Sequence, residues 1–287
     1  METNSKISTK QVVIAVFSAL GILILSQLIA ILIGSSVVML GAIEALGNAV
    51  TAVLYPLLTL VGINMLCKKV LKKSMAECGI TNYRCKPVWI IASFLMPMLV
   101  IGVLCLMPGH WERGAKQDTI QLMNLLSGAI FFTGMAVGIV EEIVFRGIIM
   151  KALEWRWNRK VGIIVPSVLF GAIHVIGNKM SIVSFIQLVL AGSLVGILFS
   201  LVTYECGNIW SSAMMHGIWN MFMCSGIIHI AKEPVQDTLY NYILETDSAL
   251  LSGGEFGIEA SVVSIAAYML FAILAVRVKR KRGEHET

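Results

Sequence analysis

Runs of about twenty apolar residues, the length that crosses the hydrocarbon core of a bilayer as a helix, recur along this chain, the fifth being short by that count and open to extension at either end. They fall near 11–33, 46–66, 88–107, 120–145, 161–176, 182–203, 209–230 and 258–276. In lipid every backbone polar group must find its partner within the protein, which leaves helices and closed barrels as the only spanning structures. Runs of this length choose helices. Composition agrees: 57% of the 287 residues are hydrophobic and 14% are charged, against roughly a quarter charged in soluble domains. The expected fold is all-α, a polytopic membrane protein of eight transmembrane helices forming one domain over 1–287. The fourth helix is expected to run on into the amphipathic "KALEWRW".

Lysine and arginine placement orients such a chain. With the N-terminus inside and the helices alternating, 18 of the 22 basic residues lie on the inside: Lys6 and Lys10, the 67–87 loop, 146–160 and the tail from Arg277 to Arg282. Arg113, Lys116, Lys179 and Lys232 remain outside. The 231–257 loop is acidic and matches an outside position, with Gly253 and Gly254 punctuating it. The net charge of +5 therefore reads as a topology signal, and no nucleic-acid surface is indicated. Both termini are expected in the cytoplasm. Lys6 and Lys10 ahead of the first run superficially suggest a signal peptide. The run is too long for one and no small-residue cleavage site stands out, so it is read as an uncleaved helix.

Against that background "GIVEEIVFRG" (138–147) is anomalous. A charge near the bilayer centre costs about 2.5–3.5 kcal/mol even on a lenient scale. Glu142 and Arg146 stand four apart, share a helix face and can pair. Glu141 sits about 100° around the helix and has no partner in its own segment. Unpaired intramembrane carboxylates generally serve a function.

Two further polar interruptions follow. "FGAIH" places His174 in the fifth run with Phe170 four before it, and "HGIWN" places His216 and Asn220 on one face of the seventh. His229 is read near the outer end of that seventh helix, His110 in a loop and His285 in the tail. If helices four and five form a hairpin, its midpoint between Glu141 and His174 falls on the basic turn "RWNRK". The two residues would then face each other roughly 24 Å from the turn. His216 lies nearer its own inside turn, "ECGN", so the seventh helix or the loop leading to it must dip inward to join them.

A carboxylate beside an imidazole in a partly hydrated, low-dielectric cavity can deprotonate water. The amide and imidazole of "HxxxN" can donate hydrogen bonds to an oxyanion. No cofactor is required by this reading. The alternative use of Glu141, His174 and His216 is as ligands of a divalent metal such as zinc, which would activate the same water.

"EExxxR", "FxxxH" and "HxxxN", in order within successive spans, resemble the CPBP family of intramembrane proteases, which holds type II CAAX prenyl endopeptidases and bacteriocin-processing or immunity (Abi) proteins. The resemblance covers 120–230, helices four to seven, as the catalytic core. It implies that Glu141 and His174 activate water, that His216 and Asn220 form the oxyanion site, and that Glu142, Arg146 and Phe170 support them. The family has been described both as metal-dependent and as glutamate-dependent, and both mechanisms stay open for these residues. It further implies a membrane-associated substrate, a lipidated or precursor peptide. A non-catalytic self-immunity or scaffold protein and a proton-coupled transporter are the competing readings. The latter lacks the inverted repeat and paired broken helices expected of it.

The remaining polar residues read as structural. Gln27, Asn48, Asn64, Asn124 and Gln187 are expected to bond neighbouring helices, and Glu44 to lie near the outer interface. "KALEWRWNRK" reads as an interfacial anchor. The six cysteines show no metal-ligand spacing and read as small packing residues.

Overall fold

The structure, a computed structural model, describes residues 7–285. Lys6, and the side chains of Arg280, Lys281, Arg282 and His285, lie outside the described residues. Eight principal helices follow one another: α1 (Thr9–Met39), α2 (Glu44–Leu71), α3 (Pro87–Leu104), α4 (Thr119–Arg156), α5 (Arg159–Ile173), α6 (Ile182–Cys206), α7 (Trp210–Met223) and α8 (Val262–His285). Two begin with capping boxes, Ser8 with Gln11 and Asp118 with Gln121, which satisfy backbone donors that a helix start leaves open. The protein is a helical, polytopic membrane protein, as its apolar runs require.

Among the described residues six helices are long and apolar enough to span a membrane: α1, α2, α3, α4, α6 and α8. The two that carry the histidines, α5 and α7, are 15 and 14 residues long. At 1.5 Å per residue each is about 22 Å, short of a core of about 30 Å. Non-helical backbone at membrane depth is tolerated where it lines a cavity or is buried in protein. The short helices therefore mark where such a cavity must lie.

Helix α4 is 38 residues long. It is interrupted by two π-helical stretches, Gly128–Val137 and Ile143–Ile149, that bracket the regular turn Gly138–Glu142. Such bulges are frequent at functional sites. Against this helix lies α7, with almost no side chain between them. A Cβ added to Gly138 would stand 2.7 Å from the backbone N and Cα of Gly217. Small residues let membrane helices approach this closely when lipid supplies no hydrophobic drive to do so.

The basic segments gather at one end. Gln11 Nε2 donates to Val70 O (2.8 Å), and Arg156 Nε donates to Thr9 Oγ1 (2.9 Å), tying the start of α1 to the ends of α2 and α4. At the other end stands a three-stranded sheet: β1 (Gly109–Arg113) and β3 (Tyr240–Leu244), in segments read from sequence as loop, and β2 (Ile228–Ala231), read from sequence as the end of the seventh helix. Its order is β1-β3-β2, antiparallel then parallel, with Tyr242 opposite both Trp111 and Ile230. The Tyr242 hydroxyl donates to the carbonyls of Met107 (2.8 Å) and Cys105 (3.2 Å), anchoring the sheet to the end of α3. His229 thus belongs to β2 and not to helix α7, which ends at Met223. His110, on β1, is clasped between Glu112 (3.1 Å) and Glu245 (3.2 Å), and those carboxylates raise its pKa above the ordinary imidazole value.

Polar residues inside the spans bond as expected in three cases. Asn48 donates to Asn124 O and Ser127 Oγ, Asn124 Oδ1 accepts from Ala45 N, and Gln187 donates to carbonyls at Ala249, Leu250 and Ala260. Gln27 and Asn64 make no such bond among the described residues. The cysteines are free, with Cys67 and Cys78 buried side by side at 3.7 Å.

The Gly138–Gly217 contact makes a prediction. Gly138→Ala should destabilise the bundle by about 1–3 kcal/mol through overpacking against backbone. Gly21→Ala, where an added Cβ meets nothing within 4 Å, should not. Thermal unfolding of both variants in detergent checks this; equal midpoints would refute the close contact.

Candidate active site

The regular turn between the two π stretches presents Glu141 and Glu142 toward α7, and the ring of His216 lies between them. Its Nδ1 is 3.1 Å from Glu142 Oε1 and its Nε2 is 3.5 Å from Glu141 Oε2. The inward dip demanded of the seventh helix is therefore made. Ile209 N donates to Gly79 O (3.1 Å), so the turn before α7 is folded into the bundle against the 72–86 loop. Phe199 stacks on the imidazole at 4.9 Å between centroids and 26° between planes, while Phe170 meets its edge at 5.7 Å.

Behind this ring lies the expected ion pair. Arg146 is 2.8 Å from Glu142, and the two side chains are 1% and 0% exposed. The contact lies off the hydrogen-bond direction, since the same guanidinium nitrogen has no aligned acceptor and Glu142 Oε2 has no partner. It is held by charge. The guanidinium also faces the rings of Phe170 (4.9 Å), Phe199 (5.3 Å) and Phe145 (5.8 Å), and it donates to Gly196 O (3.3 Å). Phe170 thus packs against the histidines, as expected, and against Arg146 as well.

Two carboxylates thus stand at the two nitrogens of one imidazole. Glu142 is sealed off, whereas the Glu141 side chain keeps 17% of its surface open. Glu141 is the more open of the two carboxylates.

His174 caps the C-terminus of α5 instead of lying within it. Its Nδ1 is 2.7 Å from Phe170 O. A carbonyl can only accept, so Nδ1 carries the hydrogen and Nε2 is left as the free nitrogen. Among the described residues no ion pair or hydrogen bond links His174 to Glu141; the face-to-face meeting expected from the hairpin midpoint is made by His216. His174 and His216 instead share a cavity of about 50 Å³ with Asn220, room enough for water. Asn220 donates from Nδ2 to Thr133 O (3.3 Å) and accepts from the Cys224 thiol (3.7 Å), which leaves one amide hydrogen free.

The same cavity is lined by Glu259, Tyr268 and Phe256, which the sequence did not signal. Glu259 sits on a single 3-10 turn, Ile258–Ala260, at the very start of the last apolar run, where a charge reads as an interfacial residue. Only the folding of α8 against α6 brings it to the histidines.

As metal ligands, Glu141, His174 and His216 do not form a set. Among the described residues no three His, Cys, Asp or Glu side chains are disposed to hold one ion, and both nitrogens of His216 face carboxylates. The donor geometry does not fit a resident metal.

Residues 123–222 match the Rce1-like family model, described as type II CAAX prenyl endopeptidase Rce1-like. The match covers 100 of the 287 residues. No curated protein and no solved structure matches it. The matched segment spans all of Glu141, Glu142, Arg146, Phe170, His174, His216 and Asn220, while Glu259 reaches the cavity from outside it. At family level the match supports a membrane endopeptidase of the CAAX type.

The buried pair generates a stability prediction. Arg146→Ala leaves Glu142 charged and uncompensated and should destabilise the protein by about 3–5 kcal/mol. Arg146→Ala paired with Glu142→Leu should recover much of that loss, because no lone buried charge remains. Chemical denaturation in micelles, followed by tryptophan fluorescence, distinguishes them; a double variant no more stable than the single would refute the pairing.

Proposed function

We propose that the protein is an intramembrane endopeptidase in which Glu141 deprotonates a water molecule for attack on a peptide bond. One observation carries this reading: the more open of the two carboxylates touches His216, whose cavity also holds the free nitrogen of His174 and the spare amide hydrogen of Asn220.

The roles follow from placement. Water in the cavity donates one hydrogen toward Nε2 of His174. Glu141 takes the proton as hydroxide adds to the substrate carbonyl. The oxyanion that forms is met by the amide of Asn220 and by the His216 ring, which Glu142 holds in orientation while Arg146 balances that carboxylate. When the tetrahedral adduct collapses, the C–N bond breaks, and the leaving amine takes the proton from Glu141. The side chains alone perform these steps.

The substrate is a membrane-associated peptide, lipidated or a precursor. The proposed setting is a bacterial plasma membrane, with the basic end and both termini in the cytoplasm. The gathering of basic segments at one end, away from the sheet, supports that orientation.

Paired peptidomics tests the reading. Cells expressing the wild-type chain should show new peptide termini that are absent with Glu141→Gln at matched membrane levels. Against a substrate so identified, Glu141→Gln should lower the cleavage rate about 10²–10⁴-fold and Asn220→Ala about 10²–10³-fold. Identical peptide profiles, with any wild-type phenotype surviving in the variant, would overturn catalysis in favour of an immunity or scaffold role.

A further inference from the structure

Asn220 is the wall between two cavities. One is the small cavity of the histidines. The other, about 520 Å³, lies on the sheet side of the bundle and is lined by Asn48, Gln117, Gln121, Asn124, Thr133 and Cys224 among others. The wall is thin: the carbonyl of Thr133 accepts from Asn220, and the thiol of Cys224 donates to it. Both therefore border the larger cavity with one side and hold Asn220 with the other.

This second cavity has unusual chemistry for its depth. Cys224 borders this cavity and lies within electrostatic reach of Glu141 and Glu259, and its thiol donates to Asn220 Oδ1, so the cavity reaches the residue that walls the histidine site. Its walls are rich in carboxamides, which both donate and accept, as an extended peptide backbone does. One of them, Gln117 Oε1, is buried without any partner. A buried acceptor left open costs about 1–3 kcal/mol, and a ligand N–H would relieve it. Lys116, Glu44 and Asp237 add charges of both signs, so no single-sign ligand is favoured.

We propose that this cavity is the aqueous access passage of the site, admitting an extended, polar peptide segment from the sheet-bearing face, with Asn220 at its inner end. The proposal rests on the endopeptidase reading for what the segment is there to do. The passage itself is a property of the fold and is testable without any substrate.

A small, charged, membrane-impermeant methanethiosulfonate, applied to the full wild-type chain in intact cells and in inverted vesicles, probes it. Mass mapping reports which cysteine is modified. Cys224 should be modified from the face opposite the C-terminal tail. No modification of Cys224, or modification only from the tail's own face, would overturn the passage. A second variant addresses the occupant. Gln117→Trp, which fills the cavity away from Glu141, should lower kcat/KM for an identified peptide at least about tenfold, the scale of one lost polar contact, with an unchanged unfolding midpoint. Unchanged cleavage by Gln117→Trp would overturn the peptide assignment. The two readings fail separately: loss of the Glu141→Gln effect sinks proteolysis whatever Cys224 does, whereas failed labelling beside intact proteolysis sinks the passage.

Discussion

The buried charge cluster of Arg146, Glu142 and His216 is the constraint on which the remaining structure depends. A carboxylate and a guanidinium with almost no exposed surface would each be prohibitive alone at membrane depth. Together they require a partner helix close enough to bring an imidazole to within hydrogen-bond distance, and they require aromatic rings to enclose the guanidinium. The glycine contact between α4 and α7 meets the first demand. Phe145, Phe170 and Phe199, drawn from three helices, meet the second. The cluster therefore orders α4, α5, α6 and α7 around itself before any chemistry is considered.

Catalytic potential is what that order leaves over. With Glu142 committed to Arg146 and His216, the adjacent Glu141 is presented on the other nitrogen of the same ring and stays partly open. The two π stretches matter here, because they flank the single regular turn from which both carboxylates project. A helix with its full complement of regular turns would have to reach His216 with a different pair of side chains.

Short helices are the second consequence. Both α5 and α7 end within the thickness a membrane would have, and the chain leaves them as loop, strand or turn in place of a lipid-facing helix. Such ends need polar surroundings, and the structure supplies them: the water-sized cavity at the end of α5 and the carboxamide-lined cavity beyond α7. The small sheet closes the same end of the bundle and positions the segments around it.

The sequence by itself determined the class of fold and the pairing of Glu142 with Arg146. Those follow from local physics: apolar runs of spanning length have one way to satisfy their backbone, and residues four apart on a helix share a face. It also marked Glu141 as the charge lacking a local partner. Only the tertiary structure decided that Glu141 meets His216 instead of His174, because that depends on how far α7 dips and on the phase of a helix altered by π turns. It alone brought Glu259 to the histidines, since burial of a residue at the start of an apolar run is settled by the helices packed against it. It alone built the sheet, whose strands of four or five residues are too short to carry a readable alternation and are held by pairing between distant segments.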